Sequence, residues 1–264
     1  MTTKYTLAQI KQFWEQQALE HGESPVASWS DTPVMDLEIR EIISRIKDGD
    51  KVLDVGCANG FSTVQFAASR SVDILGLDYI PQMIDAAKER LKRMDGNLLG
   101  NVRFDVGDIT SLQCESSQFD VAIAIRVLIN LETWDNQVKG IRECARVVKP
   151  GGIVMFSEAT LQGWNKMNAF RAEWGLPAIP MPQFNHYLDE EAVKTACPDL
   201  EFVDVVNFAS TYFIGTRVLK PLLAQFLGDT SNVANPNMEW NRFFSMLPAY
   251  GDYGTQKLFV FKKK

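Results

Sequence analysis

Apolar and polar residues follow two different rhythms along this chain, and the switches between them mark out its elements. Leu7, Ile10, Phe13, Trp14 and Ala18 recur at helical spacing behind Thr6-Leu-Ala-Gln9, which has the form of a capping box, so an amphipathic helix opens the chain. His21-Gly-Glu-Ser-Pro25 ends it, and a second helix follows Pro33 with Leu37, Ile42, Ile43 and Ile46 on its apolar positions. After the turn at Asp48-Gly49-Asp50 the rhythm changes. Val52, Leu53 and Val55 form a short apolar run closed by glycine, the pattern of a parallel strand covered on both faces. Helix follows over Phe61 to Ser69, then a strand over Val72 to Leu77. The next helix starts with Pro81 and carries Met83, Ala87, Leu91 and Met94 as its apolar stripe.

Val102 to Val106, Phe119 to Ile125 and Ile153 to Phe156 continue the strands. Between the last two, Trp134, Val138, Ile141, Ala145 and Val148 step by four and three residues, as a helix packed on a sheet does. Strands alternating with helices select a parallel sheet with right-handed crossovers. Beyond Glu158 the pattern loosens. Residues 160–200 and 212–254 read as insertions, the second helical, around a sixth strand over Glu201 to Phe208, and Lys257 to Phe261 closes the sheet. The predicted fold is α/β with a doubly wound, mostly parallel sheet. Residues 1–47 form an N-terminal helical cover, residues 48–264 the main domain, and the two insertions a cap over substrate.

At 264 residues the chain can bury a full core as one domain with insertions. A net charge of -6 argues against a nucleic-acid partner, because phosphate binding needs clustered Lys and Arg, and Lys262 to Lys264 reads as a solvated terminus. Cys57, Cys114, Cys144 and Cys197 lack paired spacing, so reduced thiols are expected, with no metal. No apolar run approaches the ~20 residues of a membrane span, and no secretory leader pattern opens the chain. A cytoplasmic protein without membrane insertion, monomeric or homodimeric, is the expectation.

Candidate chemistry gathers at strand ends. Asp54 lies on an apolar strand just before the turn Gly56-Cys-Ala-Asn-Gly60, which aims a carboxylate into a dry crevice and suits a cationic or polar ligand. Asp78 ends the second strand at the spacing of a ribose-binding acid, and Asp108 follows the third. A pyrophosphate-bearing nicotinamide cofactor is disfavoured, since the turn lacks the three-glycine spacing that brings phosphate to a helix N-terminus.

In this order and spacing, Val52-Leu-Asp-Val-Gly-Cys-Ala-Asn-Gly60, Gly76-Leu-Asp78, Gly107-Asp108-Ile109, Phe119-Asp-Val-Ala122 and Val148-Lys-Pro-Gly-Gly152 resemble the class I S-adenosylmethionine-dependent methyltransferases. The resemblance implies seven strands with the last antiparallel. It also implies S-adenosylmethionine as cofactor and S-adenosylhomocysteine as product. By the same resemblance Asp54 and the turn from Gly56 through Cys57 to Gly60 surround the methionine part, Asp78 binds the ribose hydroxyls, and Asp108 and Ile109 hold the adenine. Tyr79 and Met83 pack on adenine or ribose, and Arg126 lines the methionine side.

Methyl transfer from a sulfonium needs alignment above all, and a general base only for some acceptors. Many small-molecule relatives carry a His near position 130, where this chain has Asn130. His186 is the candidate base instead, Tyr187 a candidate to orient the acceptor, and Glu158 a third candidate at the end of the fifth strand. Asp189 reads as a helix cap. Trp14 and Trp29 are placed to close a pocket as a lid. The expected function is methyl transfer to oxygen or nitrogen of a small molecule, with a sugar-containing or natural-product acceptor. The alternatives are a protein methyltransferase and a non-catalytic sensor or partner module that binds the cofactor without turnover.

Overall fold

Strands apolar at successive positions are stable only between two covering layers. The computed structural model, which describes residues 4–94 and 96–264, places them so. Its strands are β1 (Lys51–Val55), β2 (Asp73–Asp78), β3 (Asn101–Val106), β4 (Phe119–Ile125), β5 (Val148–Ala159), β6 (Leu200–Val206) and β7 (Gln256–Lys263). They form one seven-stranded sheet in the order β3-β2-β1-β4-β5-β7-β6. The first five pair in parallel, and β7 runs antiparallel to both β5 and β6.

Ten helices are described: α1 (Leu7–His21), α2 (Thr32–Ile43), α3 (Phe61–Ser69), α4 (Pro81–Arg93), α5 (Trp134–Val147), α6 (Leu161–Glu173), α7 (Glu190–Thr195), α8 (Ser210–Ile214), α9 (Lys220–Leu227) and α10 (Glu239–Ser245). Because successive side chains leave a strand on opposite faces, Leu53, Ala122 and Phe156 pack with α5 and α7. Val52, Ile123 and Met155 pack with α2, α3, α6 and α8 on the other face. Fully burying the Leu, Phe, Val, Ile and Met side chains among these stabilises by about 1.5–3 kcal/mol each.

The local signals act as the chain implies. Thr6 caps α1 reciprocally, its N–H donating to Gln9 Oε1 at 2.9 Å while the Gln9 N–H donates to Thr6 Oγ1 at 3.4 Å. Asp189 caps α7, accepting from the Ala192 N–H at 2.9 Å. Strand β5 is longer than the apolar run Ile153 to Phe156 because β7 pairs with it as far as Ala159. Helix α6 forms where the pattern had loosened, and it is held by a row of Gly163, Met167 and Arg171 at four-residue intervals. A π-turn over Gly215–Leu219 joins α8 to α9. There the Phe244 ring lies so close to Gly215 that a Cβ would fall 2.2 Å from it. Among the described residues no helix is long and apolar enough to cross a membrane.

Candidate active site

In this strand order the crossovers diverge at β1 and β4, which leaves a crevice at the carboxyl ends of the strands. A cleft of about 640 Å³ occupies it, a volume typical of small-molecule sites. One end is built from the tips of β1, β2 and β3. Gly56, with φ +72°, turns the chain off β1, and a Cβ there would lie 2.2 Å from the Val127 side chain, so only glycine lets the turn approach β4. The Gly56 and Cys57 N–H groups both donate to the Leu77 carbonyl, at 2.6 and 2.9 Å, locking the turn to the end of β2.

Three carboxylates face this end. Asp54 is buried and accepts from Thr63 Oγ1 at 2.6 Å. Asp78 accepts the Ala58 and Ile80 N–H groups, each at 2.9 Å, one on each oxygen. The first of these bonds holds Ala58 at φ +47°, a left-handed conformation that L-residues otherwise avoid. Asp108 takes both the N–H and the hydroxyl of Thr110, at 2.7 and 2.8 Å. Burial pushes Asp54 up to about 7; the Thr63 bond pulls it down, and the charges of Asp78 and Glu38 push it further up. Asp78 is raised by burial to about 6 against the pull of its two backbone bonds. Among the described residues no cation pairs with any of the three. Acids that repel each other at one end of a cleft, with no cation paired to them among the described residues, suit a cationic, hydroxyl-bearing ligand.

Of the residues expected to hold a cofactor, Asp54, Gly56, Cys57, Asp78 and Tyr79 line the cleft, as do Met83, Asp108, Ile109 and Arg126. Gly60 does not. It starts α3 with φ +73°, and the Phe104 ring fills the space where its Cβ would be, so it shapes the turn from behind. Asn59, unremarked in the sequence, also lines the cleft. Its amide donates to the Gly22 and Ser24 carbonyls at 2.8 and 2.7 Å and leaves Oδ1 buried without a partner. Its place inside the Gly56 to Gly60 turn was the available signal.

Arg126 sits at the tip of β4 with φ +56°, its N–H donating to the Ser157 carbonyl at 2.8 Å. Its guanidinium lies 4.7 Å from the Trp29 ring centroid and pairs at 2.5 Å with Glu38, which is buried on α2. Glu38 also accepts from Ser157 Oγ and, at 3.1 Å, from Gln256 Nε2. The network ties the N-terminal cover to β4, β5 and β7. Trp14 and Trp29 both line the cleft, and Phe13 stacks on Phe184 at 4.4 Å, so α1 meets the 182–187 segment above the cleft.

The far end departs from expectation in two of three catalytic candidates. Glu158 is fully buried and outside the cleft lining. Its carboxylate accepts the N–H groups of Val127, Leu128 and Ile129 at 2.9, 2.8 and 3.3 Å and so fixes the turn after β4. Burial raises it to about 8 against those three bonds. The His186 ring is also outside the lining; its backbone does the work, the N–H donating to the Ile129 carbonyl at 2.6 Å and the carbonyl accepting from Gln137 at 2.8 Å. Burial and the charge of Lys4 lower its pKa, with Glu132 opposing. Tyr187 does line the cleft.

The insertions divide in the same way. Pro182, Phe184, Asn185 and Tyr187 of the first reach the cleft, whereas no residue of 212–254 does. The second insertion instead braces the start of α2, where Asp31 accepts from the Tyr212 hydroxyl and from Arg217, and Asn241 donates to Tyr212 at 2.9 Å. Its rings, Trp240 and Phe244 among them, pack on one another.

The family described as "Methyltransferase domain" matches residues 46–201. A demethylmenaquinone methyltransferase of Leptospira interrogans is 36% identical over 119 residues, 44% of this chain and 46% of that protein. The chain thus spans about half the length of this curated relative. The O-methyltransferase rstn1 of Aspergillus nomiae is 30% identical over 174 residues, 64% of this chain and 72% of that protein. Among solved structures, the magnesium protoporphyrin IX methyltransferase of Synechocystis PCC 6803 with bound SAH shares the fold. It superposes at a TM-score of 0.53 over 100% of this chain and 90% of that one, at 12% identity.

Proposed function

The chain belongs to the class I S-adenosylmethionine-dependent methyltransferases, and from that premise we propose that it transfers the methyl group of S-adenosylmethionine to a small molecule. One observation carries the reading: three carboxylates that pair with no cation among the described residues, at successive strand ends, facing one cleft. That donor set fits the cofactor, whose amine and sulfonium are cationic and whose ribose offers two hydroxyl donors. The orphaned Asn59 oxygen beside the turn fits as well, because a buried acceptor calls for a donor.

In this reading Asp54 and the Gly56 to Asn59 turn hold the methionine part, with Arg126 beside it. Asp78 accepts from the ribose hydroxyls. Asp108 and Ile109 receive the adenine, with Tyr79 and Met83 packed on it. When bound, the cofactor supplies an electrophilic methyl on a good leaving group. The protein supplies alignment and dryness, which in such displacements account for up to about 7–11 kcal/mol of the barrier. Trp14, Trp29 and Phe184 exclude water above the cleft. The relatives named for menaquinone precursors and O-methylation support a small acceptor.

Isothermal titration with S-adenosylmethionine and S-adenosylhomocysteine, followed by labelled-methyl transfer into pooled metabolites, tests this. Micromolar binding and transfer into one pool are expected. Failure of either ligand to bind sinks the reading.

A further inference from the structure

At the acceptor end of the cleft, two amide oxygens are left without partners. Asn130 donates through Nδ2 to the Arg126 carbonyl at 2.6 Å, which settles which side of its amide is oxygen, and that oxygen is buried and unpaired. Asn185 is 8% exposed, with Oδ1 likewise unpaired. Both residues line the cleft. They are held rigidly against each other's elements: the segment after Asn185 is bonded to the turn after β4 through the His186 N–H and the Gln137 bridge, and to β5 through the Leu188 N–H at 3.0 Å. Tyr187 stands beside them with its phenol raised by burial, the Asn185 amide opposing, so it stays neutral and can only donate or accept a hydrogen bond. Trp29 and Phe184 add ring walls.

What this end lacks is a base. Among the described residues the only carboxylates lining the cleft are Asp54, Asp78 and Asp108 at the other end, and no imidazole lines it. Glu158 is consumed by three backbone N–H groups. A general base is worth about 10²–10⁴-fold to an acceptor that must be deprotonated. An aliphatic hydroxyl needs that help, whereas a phenol, titrating near ~10 like tyrosine, presents its anion unaided in about one molecule in a thousand at neutral pH.

We propose that the acceptor is a flat aromatic molecule bearing an acidic hydroxyl, a phenol or enol, with a neighbouring O–H or N–H held by the Asn130 and Asn185 oxygens. The proposal rests on reading the cleft as a methyl-transfer site, and it narrows the oxygen or nitrogen of a sugar-containing or natural-product molecule expected from sequence. The acceptor's proton passes to solvent water. The anionic oxygen then forms the new C–O bond while the methyl–sulfur bond breaks, the electron pair leaving on sulfur.

The test uses the whole protein with labelled S-adenosylmethionine and a set of probes: phenol, catechol, 4-chlorophenol and 4-nitrophenol against benzyl alcohol and methyl glucoside. Methylation of the phenols alone is expected, with the pH midpoint of kcat/KM moving with each phenol's own pKa. Asn185→Ala should raise the KM for catechol about tenfold at unchanged S-adenosylmethionine affinity. A midpoint that stays fixed across the phenols reveals a protein base and overturns the proposal. So does comparable transfer to benzyl alcohol or the glucoside, or transfer to no phenol. Each outcome is read with cofactor binding intact; loss of that binding in the unmodified protein counts instead against the reading of the three acids.

Discussion

The two ends of the cleft are built differently. The acid end comes from one stretch, residues 54–110, in which each strand end delivers one carboxylate and groups from the same stretch hold it: the Thr63 hydroxyl holds Asp54, the Ala58 and Ile80 N–H groups hold Asp78, and Thr110 holds Asp108. The acceptor end is assembled from the turn after β4, the tip of β5, the 182–187 segment, the start of β7 and the N-terminal cover. Its polar groups include neutral amides and a phenol, and its guanidinium, Arg126, is already matched by Glu38. In the proposed reading, the contrast teaches that charge is concentrated where the cofactor binds, and that shape and hydrogen bonding govern where the acceptor binds.

The comparison breaks first at Glu158. If it is the anchor of the turn after β4 and not a catalytic acid, Glu158→Ala leaves three buried N–H groups unpaired and lowers the unfolding free energy by about 3 kcal/mol or more in urea titration. Unchanged stability with abolished turnover would return Glu158 to the chemistry.

Next in size is Asp78→Ala, for which titration should show S-adenosylmethionine affinity lower by about 30- to 100-fold, the loss of a charged acceptor for two hydroxyls. An unchanged Kd would falsify the ribose assignment.

A smaller and graded effect separates the ends by pH. Asp54 and Asp78 are raised from 3.8 to about 7 and about 6. The folded, empty protein therefore keeps protons that the unfolded chain has released, and these two groups favour folding as pH falls from 7 towards 4. Cofactor binding needs the carboxylates and moves the other way. Its affinity should weaken about tenfold per pH unit below the pKa of each group. The thermal shift given by S-adenosylhomocysteine should therefore shrink between pH 7.5 and 5.5, and a constant shift would show that neither acid binds it.

The smallest effects belong to the residues that the fold turns away from the cleft. His186→Ala keeps the backbone bonds that position Tyr187, and kcat on the acceptor should change by less than about twofold. Phe243→Ala, on the second insertion, should leave the acceptor KM unaltered; a raised KM would put that insertion back over the cleft.

What could be seen in the sequence follows from this arrangement. β1 with its glycine turn, the acids at 54, 78 and 108, and the alternation through β5 are local patterns, and strand and helix periodicity identify them because each depends on neighbours a few residues away. Glu158 and Asp78 look alike as text, each an acid ending an apolar strand. They differ because the Glu158 side chain uses both oxygens on three N–H groups from 127–129, outside the cleft lining, while Asp78 takes one N–H from the turn after β1 and one from its own turn and lines the cleft. The rings of the two insertions are equally aromatic, and only packing separates Phe184, which lines the cleft, from Phe244, which closes over Gly215.

The amino-acid sequence by itself thus determined the sheet, its mostly parallel order and the acid end, since these rest on side-chain periodicity and on glycine at one strained turn. The tertiary structure alone decided that Glu158 and His186 face away, that the second insertion braces α2, and that Asn130 and Asn185 share one wall. The physical reason is that a carboxylate, imidazole or amide takes its role from whichever donors the fold brings within hydrogen-bond distance, and those donors come from parts of the chain that no local pattern connects.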